Sequence, residues 1–363
     1  MRKLEQLTIQ NYKSIKDQSL HLGALNVFIG GNGVGKSNLI SLFRFLREVV
    51  TQNLTAYTIK KGGADSFLYF GRKQSTEMKL FLAFGEENES NSYEITLQGT
   101  DEDGWMIHHE EVGYHRRDQY PDPYRKSIST FSKESNIQYE DHICARQVRR
   151  DLEGYCVYHF HDTSDTAAVK GTTDVEDNRF LRPQAENLAA FLYWMQEKKP
   201  QHFANIEHII RQVAPFFDGF RLAPSRLNES RIRLEWKEKG SDAYFNATAL
   251  SDGTLRFMCL ATLLMQPELP NLILLDEPEL GLHPAAVVLL ADLLSAASAS
   301  VQVMVSTQSV TLVNQFEPAD VWAVDRLGSQ SVFRHLAEAD MSSWLEGYAL
   351  GELWEKNLLG ARP

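Results

Sequence analysis

Alternation of apolar and polar positions opens the chain. Leu4, Ile9 and Tyr12 are separated by polar residues, with Leu7 out of phase, and predict an edge or paired strand. A second short strand is expected around Leu20–Leu22. Leu25–Ile29 is an apolar run of the kind that makes a buried strand. Leu39, Phe43, Leu46 and Val50 then recur at helical spacing and predict one buried stripe. From about Thr51 to Gly71 no period emerges, and the stretch is read as irregular. Met78–Phe84 and Ser92–Leu97 form a predicted strand pair across the acidic, Asn-rich turn Glu86–Asn91, with Trp105–Tyr114 as a third strand. Arg116–Arg150 is polar and mixed. Its basic residues Arg116, Arg117, Arg146, Arg149 and Arg150 read as a solvated face rather than a nucleic-acid site.

Tyr155–Phe160 is a further strand candidate and Thr163–Asp177 a surface loop. Asn187–Leu192 opens a helix that Pro200 closes, and Phe203–Ala214 forms another, ended by Pro215. Phe216–Leu222 and Arg231–Trp236 follow as strands, the second alternating Ile232, Leu234 and Trp236. Leu255–Leu264 predicts an apolar helix, and Leu272–Leu275 and Val301–Val305 predict buried strands. No repeat or low-complexity tract interrupts the pattern. The expected organisation is a single α/β unit over residues 1–363. Its core lobe covers approximately 1–160 and 265–363, and an inserted middle lobe covers approximately 161–264.

Composition leaves this picture unchanged but narrows the partners. Apolar content of 43% and charged content of 23% are ordinary for a globular protein. A formal charge of −11 argues against coating nucleic acid by bulk electrostatics, while leaving a local basic patch possible. Cys144, Cys156 and Cys259 form no CxxC pair, which fits a reducing cytoplasm and offers no zinc site. No leader-like or membrane-spanning apolar run is found, so a cytoplasmic protein without membrane contact is expected.

The chemistry starts at Gly30-Gly31-Asn32-Gly33-Val34-Gly35-Lys36-Ser37, which fits Gly-x4-Gly-Lys-Ser/Thr without a gap. A buried strand delivers the chain, glycines turn backbone N–H groups around an anion, and the next helix adds its positive end. Lys36 would reach the β- and γ-phosphates of ATP, and the Ser37 hydroxyl would ligate Mg²⁺. A chance glycine-rich turn would lack the strand before and the helix after.

The strand Leu272–Leu275 ends in Asp276 and Glu277. Asp276 would hold Mg²⁺, directly or through water, and Glu277 would act as general base on the attacking water. Leu250-Ser251-Asp252-Gly253-Thr254 starts the apolar helix and makes a second anion-binding helix end. Because the two helix ends belong to different lobes, Ser251 and Gly253 are expected to meet nucleotide held by a second chain. After Val301–Val305, Ser306-Thr307-Gln308-Ser309 places Gln308 where it would sense the γ-phosphate.

Together these stretches resemble the ABC-type ATPases of the RecF/SMC/OLD group, in particular the short "predicted ATPase" members without coiled coil. The residues that carry the resemblance are Ile9–Ile15, Gly30–Asn38, Leu250–Thr254, Asp276–Glu279, Leu282–Pro284 and the ending Leu350–Trp354. It implies a P-loop NTPase head with a mixed β-sheet core. It further implies an ATP-gated head-to-tail homodimer or higher even-numbered assembly, and work in DNA repair or in defence against phage and plasmids. A separate effector subunit such as a nuclease, and contact with nucleic acid, come with the same resemblance.

Two positions depart from the group. Asp252 stands where its first glycine usually stands, so it either repels the phosphate or points away and caps the helix. Gln308 stands where the broader family has histidine. Glutamine can hydrogen-bond a phosphate but cannot exchange a proton near neutral pH, so slow turnover is expected. An ATP-binding scaffold with negligible hydrolysis is the alternative. A transporter subunit is disfavoured by Asn38 and by the β-rich lobe. For the group's glutamine-loop Mg²⁺ ligand, His161, Asp162 and Gln147 are candidates. A metal site at His159 and His161 is disfavoured, having too few converging ligands. Trp322, Trp344, Tyr348 and Trp354 are expected to pack in the core, with docking of a partner subunit as the second reading.

Overall fold

The computed structural model describes residues 2–86, 88–336, 344 and 347–362. Its chain opens with the hairpin β1 (Lys3–Tyr12) and β2 (Ile15–His21), followed by β3 (Leu25–Ile29), α1 (Lys36–Val50) and α2 (Leu54–Lys60). A meander of β4 (Glu77–Glu86), β5 (Glu89–Gly99), β6 (Trp105–Arg116) and β7 (Tyr124–Ser129) leads to α3 (Ile143–Glu153), β8 (Tyr155–Tyr158) and β9 (Thr172–Asp174). Next come α4 (Leu188–Lys198), α5 (Pro200–Val213), β10 (Phe217–Phe220), β11 (Arg231–Arg233), β12 (Glu235–Glu238) and β13 (Tyr244–Asn246). The last part holds α6 (Asp252–Met265), β14 (Leu272–Asp276), α7 (Pro284–Ser298), β15 (Gln302–Thr307) and α8 (Val310–Val313). It ends with β16 (Val321–Leu327), β17 (Gln330–His335) and α9 (Leu350–Glu355).

The sheet that carries the site runs β17-β16-β3-β15-β14-β8, parallel throughout except for the antiparallel edge β17. Its central strands are apolar on both faces because both faces are covered. Val27, Ile29, Ile273, Leu275, Val303 and Val305 join a core with α4–α7, whereas Phe28, Leu272, Leu274 and Met304 join a second core with α1. On that second side lies an antiparallel sheet, β2-β1-β4-β5-β6-β7. Leu4 and Leu7 are both buried despite odd spacing because a bulge between Leu4 and Gln6 resets the register against β4.

Several stretches differ from expectation. The irregular stretch after Thr51 contains α2. Within the polar stretch 116–150 lie β7 and α3. Helix α3 buries Cys144, Ala145, Val148 and Leu152 and turns Arg146, Arg149 and Arg150 outward or aside. Arg231–Trp236 divides into β11, which pairs with β9, and β12, which pairs with β10. The strand β9 therefore replaces part of the expected loop 163–177. Glu110 is fully buried and anchors this side, accepting from Tyr93, Ser129, Ser135 and the Asn136 N–H. A buried carboxylate is tolerable only when satisfied in this way. Trp322 and Trp354 are buried as expected, but Trp344 and Tyr348 are exposed. No helix among the described residues is long and apolar enough to cross a membrane.

Candidate phosphate and acid site

The loop between β3 and α1 is held by backbone geometry that only glycine meets. Gly30 has φ 152° and Gly35 φ 120°; a Cβ would strike Val324 O at the first and Ser331 Oγ at the second. Ser331 on β17 donates to Val34 O at 2.5 Å and lies 2.6 Å from Ser14 Oγ, while Asn38 Nδ2 donates to Ser14 at 2.8 Å. The turn after β1 and the edge strand thus brace the loop. Lys36 is 5% exposed and folds back to donate to Gly30 O and, at 3.0 Å, to Gly31 O. Burial lowers its ammonium pKa, against the pull of Glu277, Asp276 and Glu279.

Parallel pairing sets Asp276 opposite Ser306, whose hydroxyl donates to Asp276 Oδ1. Ser37 Oγ reaches the same oxygen at 3.4 Å. Glu277 leaves the strand with φ 45°, so its side chain does not alternate away from the site. Gln308 Nε2 donates to Glu277 Oε1 and, at 2.8 Å, to Asn32 Oδ1. Behind them Glu279 Oε1 accepts from Thr307 Oγ1 at 2.5 Å and from the Gln308 N–H at 3.2 Å. Glu279 Oε2 is buried with no partner among the described residues, and burial raises the carboxyl pKa. A cavity of about 100 Å³ is lined by Asn32, Gly33, Gly35, Lys36, Ser37, Glu277 and Gln308. A serine hydroxyl and a carboxylate sharing one approach are hard oxygen donors of the kind Mg²⁺ takes, so Ser37 and Asp276 fit that ion.

Ser251 and Gly253 lie elsewhere. Neither lines this cavity. Ser251 caps α6 through the Thr254 N–H at 3.3 Å, and Gly253 packs on the Gly281 carbonyl, which leaves no room for a Cβ. Asp252 has an internal partner, Lys170 Nζ at 3.9 Å. Arg256, one turn further along α6, is buried and donates to Phe160 O at 2.9 Å and His161 O at 3.1 Å. Since β8 neighbours β14, the residues after it exit beside the acids: His161 lines a small cavity with Asp276 and Pro278. His159 is driven down to about 4 by burial, aided by Arg44. Gln147 instead donates to Asp151 on α3, and Asp162 accepts from Ser164. No group of three or more His, Cys, Asp or Glu side chains arranged to hold a metal ion occurs among the described residues.

Sequence reasoning passed over Ser306, Glu279, Lys170 and Arg256. Ser306 meets the acid only through the register of β14 against β15, which pairs Asp276 with Ser306 rather than with the terminal Thr307.

A family profile described as "AAA domain, putative AbiEii toxin, Type IV TA system" matches residues 25–314, most of the chain. The chain belongs to this AAA-domain family. Among solved structures it is similar to a SmcHead bound to the C-winged helix domain of ScpA, with 17% identity and a TM-score of 0.60, covering 93% of this chain and 99% of that one. It is likewise similar to an Smc head domain with an extended coiled coil, bound to the C-terminal domain of ScpA derived from Pyrococcus furiosus. That pair has 16% identity and a TM-score of 0.59, covering 95% and 99%. At such identities the likeness is one of fold. No curated protein matches the chain. Family and fold agree: this AAA-domain protein has the fold of Smc heads, with the mixed α/β architecture that the motifs predict.

Proposed function

We propose that the protein binds and slowly hydrolyses ATP as a molecular switch, closing head to tail with a second copy. The observation that carries this reading is the meeting of Lys36, Ser37, Asp276, Glu277 and Gln308 at one strand edge, with Ser251 and Gly253 displayed on another surface. Lys36 would exchange its carbonyl partners for phosphate oxygens, and Ser37 and Asp276 would hold Mg²⁺ with His161 nearby. The ion, when bound, would neutralise phosphate charge. Glu277, released by Gln308, would take a proton from the attacking water. Ser251 and Gly253 would face the γ-phosphate of the partner's ATP. The Lys170 contact offsets the charge of Asp252, which supports closure rather than repulsion.

The family's description as a putative toxin of a TA system is compatible with a place in defence. Repair, and control of a separate effector such as a nuclease acting on nucleic acid, are part of the same proposal and rest on the motif resemblance. Glu277→Gln tests the core of the reading: ATP should bind with turnover reduced at least ~100-fold, and mass photometry should show dimers only with ATP. A monomer under saturating ATP would refute the head-to-tail site. The Gln308–Glu277 contact favours one second reading, an ATP-binding scaffold that hardly hydrolyses. Phosphate release from the unaltered protein no faster than from Glu277→Gln would select it.

A further inference from the structure

Away from the phosphate loop, the short strands of the middle region enclose a cleft of about 500 Å³ between the β9–β11 ladder and the β10-β12-β13 sheet. Four arginines line it: Arg221, Arg226, Arg231 and Arg233. The lining holds one carboxylate, Glu235, which pairs with Arg233 at 2.7 Å. Among the described residues no ion pair forms to Arg221, Arg226 or Arg231. A chain with a formal charge of −11 thus gathers three uncompensated guanidinium groups at one cavity.

The cavity is also built in advance. Arg231 Nη2 donates to Thr172 O at 2.7 Å, which fixes its fork across the β9–β11 ladder. The rim loop is pinned by three backbone bonds: Ser225 N–H to Arg231 O (2.8 Å), Asn228 N–H to Ser225 O (3.1 Å) and Arg231 N–H to Asn228 O (3.0 Å). Arg221 lies 4.6 Å over the ring of Tyr244, and that tyrosine remains 52% exposed. Planar guanidinium forks match phosphate oxygens two at a time. A tyrosine already stacked on one arginine offers a platform to which a nucleobase adds. The volume suits a ligand of mononucleotide size.

We propose that this cleft is a second anion site, separate from the phosphate loop, that takes a phosphorylated nucleotide, either free or as the 5′-phosphorylated end of a single strand. Arg221, Arg226 and Arg231 hold the phosphate and Tyr244 stacks on the base. None of the cleft's lining residues belongs to the loop cavity.

The test uses the Lys36→Ala protein, so that nucleotide binding at the loop does not contribute. Binding of 5′-AMP and of a short 5′-phosphorylated oligothymidylate is measured by titration, with the unphosphorylated oligomer as control. At least one phosphorylated probe should bind, and binding should weaken as salt is raised. Adding Arg221→Ala and Arg226→Ala should weaken it roughly 100-fold, about tenfold for each guanidinium–phosphate hydrogen bond removed. Both arginines are exposed, so an unchanged melting temperature checks that the fold is kept. Binding of AMP alone identifies a free nucleotide as the source, and binding of the oligomer alone identifies a strand end. Failure of both probes to bind, equal binding of the unphosphorylated oligomer, or indifference to the arginine substitutions would overturn the proposal.

Discussion

Glu277 holds a left-handed backbone conformation, which costs a non-glycine residue about 1–3 kcal/mol and persists only where the surroundings enforce it. Here they do: its N–H bonds Ser306 O at 2.8 Å and its carboxylate is tied to Gln308. A different kind of cost sits at Asp151 on α3. It is 2% exposed, accepts from Gln147 at 3.3 Å and leaves Oδ2 without a partner among the described residues. Burial pushes this carboxyl from 3.8 up to about 6, against the Gln147 hydrogen bond and the charge of Arg2. Because the folded value lies above the unfolded one, the native state binds the extra proton between these limits. Stability is therefore greatest below pH 3.8 as far as this group is concerned and falls as pH rises to about 6. A span of this width corresponds to at most about 3 kcal/mol. Asp151→Asn should flatten the slope of Tm against pH within that window and leave the protein at least as stable at pH 8. An undiminished slope in calorimetry would place the titrating group elsewhere.

Among elements, α6 has the longest reach. Its first turn carries Ser251 and Gly253, and Arg256 ties it to the segment after β8, which runs beside Asp276. Arg256→Ala leaves the buried Phe160 carbonyl and the part-buried His161 carbonyl without a charged donor, a loss of about 3 kcal/mol. A Tm several degrees lower should accompany weaker ATP-driven dimerisation with nucleotide affinity at the loop retained. Dimerisation as strong as in the unaltered protein would show that the brace serves stability only. The elements that local pattern could find were those with a single dominant period: β3, β14 and β15 as apolar runs, and α1 as a stripe. Helix α3 is equally periodic in Cys144, Val148 and Leu152, but its arginines give the stretch the look of a polar, solvated face. Pairs such as β9 with β11, three residues each and more than fifty apart in sequence, carry no local signal at all. The Arg256 and Glu279 contacts likewise exist only once strand order is known, whereas Gly30–Ser37 and Asp276–Glu277 announce themselves by spacing.

For the whole molecule, Ser251 and Gly253 do not line the loop cavity, so the proposed head-to-tail mechanism can be tested by mixing variants. If each chain served its own nucleotide, disabling either end would silence that chain alone, and mixing two silent variants would restore nothing. If sites are shared, a Lys36→Ala chain still offers an intact Ser251 surface, and a Ser251→Arg chain still offers an intact loop. Ser251 suits this purpose because its role within its own chain is an exposed helix cap, worth about 1 kcal/mol. Gly253 does not, since any Cβ there would collide with Gly281 and damage the chain that carries it. Random pairing in an equal mixture makes half the dimers mixed, and each mixed dimer owns one competent site. Phosphate release should therefore recover to about a quarter of the unaltered rate from two inactive preparations. Two chains of formal charge −11 repel at long range, but beyond about 8 Å physiological salt screens that repulsion, so under the proposed mechanism contacts at the shared sites would govern association. Recovery should accordingly rise with total protein concentration until dimers saturate. A mixture that stays silent at concentrations where ATP supports dimers would mean that each head completes its own site.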